Sequence, residues 1–203
     1  MKTIIKSAVF LISGFLLFSS FAPLSYKIGD KVDDFKLKNI DGKMVSLADY
    51  KNAKGIILVF TCNHCPYAKA YEQRIMDLDK NYSAKGFPVV AISSNDASSI
   101  PDDSYDNMVK RAKDMNYSFP YLYDETQQVA QKFGATRTPN VFVLSKTSGG
   151  YQVSYMGAID DNAQDASQVQ HHYVEDAVNA LLAGKAVPVT ETKAIGCGIK
   201  WKS

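Results

Sequence analysis

Thr61-Cys62-Asn63-His64-Cys65-Pro66-Tyr67 is the stretch on which the reading of this chain turns. Upstream of it, Ile56-Ile57-Leu58-Val59-Phe60 is an unbroken apolar run, the pattern of a strand buried on both faces. Downstream, Tyr67, Tyr71, Ile75, Leu78 and Tyr82 recur at steps of four, four, three and four, which marks one face of a helix. A Cys-x-x-Cys pair therefore stands where a strand gives way to a helix. The first turn of a helix carries unpaired N–H groups and the positive end of the dipole, and both favour a thiolate. The spacing predicts Cys62 at or just before that turn, with a lowered pKa, as the attacking thiol. Cys65, one turn on, is placed to resolve a mixed disulfide. His64 lies between the two and is expected to favour the thiolate through partial positive charge or a hydrogen bond; its bland alternative is an exposed histidine with no such role. Pro66 has no N–H to lose and suits a first turn.

Other uses of the pair fit the sequence less well. Structural zinc needs four ligands, and no second Cys-x-x-Cys exists. A c-type haem needs histidine directly after the second cysteine, where Pro66 stands. A plain structural disulfide is the bland alternative, but a disulfide framework usually spreads an even number of cysteines along the chain. Here the cysteines are Cys62, Cys65 and Cys197. The motif implies no metal and no cofactor.

The chain has 203 residues, 46% apolar and 22% charged, which suits one domain with a sizeable core. Lys2 and Lys6 account for the formal charge of +2, and no basic stripe suggests nucleic acid as a partner. The same two lysines begin an export pattern: a positive start, an apolar run from Ala8 to Phe18, and Ser20-Phe21-Ala22 as a small-x-small cleavage site. Residues 1–22 are read as a signal peptide; Pro23 leaves the cut position open. The apolar run is short for a membrane span, so no stable anchor is expected once the signal is cleaved. Export to the periplasm or cell envelope, or secretion, would let disulfides persist.

Residues 23–184 read as the domain and 185–203 as a tail carrying Pro188, Cys197 and Trp201. Phe35 to Leu47 reads as a hairpin with an Asp41-Gly42 turn. Phe87 to Ile92 is a second buried strand; strand, helix, strand implies a right-handed βαβ unit. Ser93 to Asp103 reads as loop, and Met108, Val109, Ala112 and Met115 mark a short helix. Tyr121 to Tyr123 is a short strand, and Asp124 caps a helix stopped at Gly134. Val141 to Leu144 and Tyr151 to Tyr155 form an antiparallel hairpin about Gly149-Gly150. Val174 to Leu182 is the final helix, stopped at Gly184. Alternation of Ile195, Cys197, Ile199 and Trp201 suggests a strand-like tail on the body.

With FTCNHCPY after a buried strand, and Thr138-Pro139 before the strand at Val141, the chain resembles the thioredoxin superfamily. More narrowly it resembles the peroxiredoxin-like, AhpC/TSA-related redoxin proteins. Ser94-Asn95-Asp96, the segment from Phe119 to Gln127, and the tail from Ile195 to Lys202 carry that likeness. The resemblance implies an α/β thioredoxin-like fold: a central mixed sheet flanked by helices, with an N-terminal hairpin and a C-terminal tail. It implies a cis peptide at Pro139 facing the cysteines, with the neighbouring Thr138 backbone pairing a bound substrate chain; an ordinary strand-edge proline is the alternative. It implies thiol–disulfide oxidoreductase chemistry on a protein thiol or disulfide, with an upstream electron donor or acceptor.

A peroxiredoxin-like thiol peroxidase is the alternative. Peroxiredoxins place a threonine three residues before the peroxidatic cysteine; here Val59 is three before Cys62, while Arg137 stands in the loop that often supplies an activating arginine. A Sco-like copper protein, using His171 and His172, is the alternative from another class. Cys197 is either a plain tail thiol or a third redox partner that reaches the pair.

Overall fold

In a computed structural model of the protein the described residues are 25–203; the expected signal segment and its cleavage site lie outside them. In chain order the elements are β1 (Lys31–Val32), β2 (Lys36–Asn39), β3 (Met44–Ser46), β4 (Gly55–Phe60), α1 (Pro66–Tyr82), β5 (Val89–Ser93), α2 (Tyr105–Met115), β6 (Tyr121–Tyr123), α3 (Gln128–Phe133), β7 (Arg137–Thr138), β8 (Asn140–Thr147), β9 (Gly150–Gly157), α4 (Tyr173–Leu182) and β10 (Cys197–Gly198). Eight strands form one mixed sheet in the order β1-β9-β8-β4-β5-β6-β2-β3, and β7 and β10 pair separately. β4 lies inside the sheet, parallel to β5 and antiparallel to β8.

The continuous apolar run of β4 is explained by cores on both faces. Ile57 and Val59 point to one face, with Tyr71, Ile75 and Leu78 of α1 and Val174, Ala177 and Val178 of α4. Ile56, Leu58 and Phe60 point to the other, with Ala130 and Phe133 of α3. Phe133 closes that face, its ring centroid 5.5 Å from Phe60 and 5.0 Å from Phe142. Each fully buried aliphatic or phenyl side chain contributes roughly 1.5–3 kcal/mol. β4 is thus fixed laterally and from above and below, and its C-terminal end, where the cysteines begin, inherits that rigidity.

Gly55 marks how close the packing is. A Cβ there would run into the Leu144 carbonyl oxygen and the Phe87 ring. Gly55→Ala should therefore cost about 1–3 kcal/mol of unfolding free energy. A urea midpoint unchanged from wild type would contradict that close approach.

Helix boundaries carry small corrections. Tyr67, expected on the buried face of α1, is 37% exposed, and Ala68 takes the inward position instead. The expected stop at Gly86 comes after a 3-10 turn over Ser83–Lys85; Gly86 has φ 98°, a left-handed conformation open to glycine. The N-cap of α3 is Gln127 and not the expected Asp124, which stands three residues earlier; its carboxylate still accepts from the first-turn backbone N–H of Ala130 at 2.9 Å. The tail crosses back over the body, but only Ile199 of its four alternating residues is buried; Ile195 and Trp201 are exposed. Among the described residues no helix is long and apolar enough to cross a membrane.

Candidate active site

The loop Thr61–Cys65 between β4 and α1 is held from below by Asp103, 38 to 42 residues on in sequence and fully buried. One carboxylate oxygen of Asp103 accepts from the backbone N–H of Asn63 at 2.7 Å and of His64 at 3.1 Å. The other lies 2.6 Å from His64 Nδ1 and accepts from Asn95 Nδ2 at 2.7 Å. Asn63 in turn donates to the Asp102 carbonyl and accepts from the Tyr121 hydroxyl. A buried carboxylate is tolerated only when its lone pairs are used in this way.

Cys62 is 3% exposed, with its sulfur 3.2 Å from Thr138 Oγ1 and 3.7 Å from His64 Nδ1. The same ring nitrogen faces both the sulfur and Asp103. A Cys–His–Asp relay needs two different nitrogens, one toward the thiol and one toward the carboxylate. His64 therefore anchors the loop to Asp103 rather than serving as base to Cys62. Burial pushes the Cys62 thiol up to about 11, and the Asp103 charge adds to it; the Thr138 hydroxyl and the N–H groups of Cys65 and His64 act in the opposite direction. This reverses the expectation of a lowered pKa, because burial outweighs the donors that favour the thiolate. Helix α1 begins at Pro66 and its N-cap is Cys65, so the helix dipole acts on Cys65 and Cys62 lies three residues outside it. Pro66 occupies the first helical position, as expected.

Cys65 is fully buried and is joined by a disulfide to Cys197, with their Cα atoms 6.0 Å apart; Cys62 is the free thiol. The bond spans 132 residues of sequence and brings the half-buried Cys197 of the tail onto the start of α1. The Thr138–Pro139 peptide is cis. It places Thr138 against both motif cysteines, its hydroxyl near Cys62 and its carbonyl oxygen 3.3 Å from the Cys65 sulfur.

The tail reaches the site as a strand. β10 pairs antiparallel with β7, Cys197 opposite Thr138 and Gly198 opposite Arg137. Arg137, which the peroxidase alternative would have beside the sulfur, is exposed and donates from Nη1 to the Gly196 carbonyl at 2.9 Å, holding the tail. His171 and His172 stand at the start of α4, where His171 stacks on Tyr173 and His172 lies 3.5 Å from Glu175. Among the described residues, the only group of three or more His, Cys, Asp or Glu side chains that could share an ion is instead Cys62, His64 and Asp103, within 4.8 Å of one another. Sequence reasoning missed Asp103 and Asn95 as its partner; of the two readings it left open for Cys197, the disulfide agrees with a tail cysteine that reaches the pair.

Residues 28–150 match the model of the AhpC/TSA family. The "Thiol-disulfide oxidoreductase ResA" of Oceanobacillus iheyensis is 28% identical over 138 residues, covering 66% of this chain and 67% of that protein. Among solved structures, an uncharacterized conserved protein from Geobacillus kaustophilus superposes with a TM-score of 0.80 at 39% identity, covering 87% of this chain and 93% of the other. A hypothetical protein from Sinorhizobium meliloti gives 0.81 at 32% identity, covering 89% and 97%.

Proposed function

This chain belongs to the AhpC/TSA family and has a thioredoxin-like fold, and from that premise we propose that it is a thiol–disulfide oxidoreductase of the cell envelope that works through three cysteines. The observation that carries the reading is a closed Cys65–Cys197 disulfide beside a free Cys62. A three-cysteine exchange ends in this connectivity, with Cys62 of the Cys-x-x-Cys pair left as the thiol. The resemblance to ResA supports the reaction class, and the export pattern of residues 1–22 supports the envelope.

The steps balance as two successive disulfide exchanges after a first attack. The Cys62 thiolate attacks a substrate disulfide, forms a mixed disulfide and expels one substrate sulfur as thiolate. The Cys65 thiolate then attacks Cys62, forming Cys62–Cys65 and releasing the second substrate sulfur, which takes up a proton. Cys197 attacks Cys65, and Cys62 leaves with the electron pair and is protonated. The product of that sequence has the connectivity found here. Cys197 is the most exposed of the three sulfur-bearing residues, so an external dithiol donor meets the disulfide there. Thr138 holds both motif sulfurs in line, His64 and Pro66 fix the loop and the helix start, and Arg137 secures the tail.

Single serine variants test this. Cys62→Ser should abolish reduction of insulin disulfides, and Cys65→Ser should accumulate a mixed disulfide at Cys62. Cys197→Ser should complete one turnover and stop at Cys62–Cys65, seen by peptide mapping without reductant. Insulin reduction that survives Cys62→Ser would remove the proposal.

A further inference from the structure

Apart from the Cys65–Cys197 disulfide, the polar contacts that hold the tail from Gly196 to Lys202 are made by its main chain. The Ile199 N–H donates to the Thr136 carbonyl at 3.0 Å. The Lys200 N–H donates to Asn95 Oδ1 at 2.8 Å, and its carbonyl accepts from the Asp96 N–H at 2.9 Å and Gln127 Nε2 at 2.7 Å. The Lys202 N–H donates to Gln127 Oε1 at 2.7 Å. Asn95 and Gln127 are buried polar side chains, 3% and 2% exposed, that spend these groups on the tail backbone. Gln127 adopts a left-handed φ of 62°, an uncommon conformation for a side chain of its size. By contrast Gly198, Lys200, Trp201 and Lys202 turn to solvent, and only Ile199 is buried, in the core beside Phe60 and Phe142.

Main-chain capture of an extended segment, with one apolar pocket, is how a groove reads a peptide rather than how a chain builds a core. The groove also imposes one strict requirement. A Cβ at position 196 would collide with the Thr138 carbonyl, whereas at 198 the nearest atom is the Thr136 carbonyl at 4.0 Å.

We infer that Gly196–Lys202 is a resident occupant of the substrate groove, and that protein substrates enter in its place as extended segments of the pattern Gly-Cys-any-apolar. The inference rests on the oxidoreductase reading and adds the substrate class and the order of events. The tail and the substrate share one groove, so they occupy it alternately. The tail returns after the substrate thiol has left, and its return carries Cys197 to Cys65.

Two short peptides test this, Ala-Ile-Gly-Cys-Gly-Ile-Lys-Trp-Lys and the same peptide with alanine before cysteine, each with its cysteine as a mixed disulfide with thionitrobenzoate. When Cys62 attacks the peptide sulfur, a new S–S bond forms and thionitrobenzoate leaves as the coloured thiolate. Pre-reduced full-length chain should release it about 10- to 100-fold faster from the glycine peptide, the range expected when an added methyl meets backbone. In the chain itself the same change has the opposite sign. Gly196→Ala should expel the tail and speed reaction with the glycine peptide, where a merely structural role for Gly196 would slow it or leave it unchanged. Equal rates for the two peptides on wild-type chain would overturn the groove assignment while leaving the oxidoreductase intact. Release no faster than from a Cys62→Ser control, with either peptide, would remove the oxidoreductase reading and this inference with it.

Discussion

Iodoacetamide should alkylate Cys62 on the order of 100-fold more slowly than an unhindered cysteine at pH 7, as long as Cys65–Cys197 is closed. Only the thiolate reacts, and an ordinary thiol ionises at about 8.5. Burial and the Asp103 charge hold Cys62 up to about 11, so at neutral pH its thiolate is correspondingly scarce. The rate should keep climbing about tenfold per pH unit to near pH 11 rather than level off at pH 8–9. Asp103→Asn gives the second arm. It removes the negative charge that opposes the thiolate, so the pH profile should move down and the neutral-pH rate should rise, by about tenfold. A profile identical to wild type would show that burial alone sets the thiol. A wild-type plateau at pH 8–9 would contradict the environment described for Cys62. The functional consequence is that the oxidised chain does not expose a reactive thiol; Cys62 waits protonated under the tail.

How far the sequence led is seen by comparing β4 with Asp103. The strand, α1 and the Cys-x-x-Cys junction were legible because each is encoded by local periodicity and by residues whose backbone preferences are strong. The cis peptide at Thr138-Pro139 was expected from the family resemblance, with a strand-edge proline as the alternative, and the cis bond is present. Asp103 was read as part of a loop, and it is in one, at the end of a short 3-10 turn. Nothing in its neighbours says that its carboxylate is buried 39 and 40 residues away from the backbone it binds. The pKa of Cys62 was misjudged for a related reason: its burial and its closeness to Asp103 are set by the folded chain and not by the local motif. Cys197 was visible as a cysteine, but a bond across 132 residues is a property of the folded tail.

Opening Cys65–Cys197 should lower the unfolding free energy by about 3–5 kcal/mol. Closing a loop of this length removes a large part of the unfolded chain's freedom, and the loop-entropy relation puts the upper end near 5 kcal/mol. The folded state gives some of this back, because Asn95, Asp96 and Gln127 still bind the tail backbone without the covalent bond. Urea denaturation of oxidised wild type and of Cys197→Ser, each with and without dithiothreitol, separates the two contributions. Without reductant the variant should be weaker by the full amount. With reductant, wild type should fall to the level of the variant, because both then hold the tail by its hydrogen bonds and the buried Ile199 without a cross-link. A gap that persists in dithiothreitol would place the effect in packing around Cys197 rather than in the cross-link. The tail would then be a fixed part of the core, and the alternate occupancy that lets a substrate share its groove would lose its physical basis.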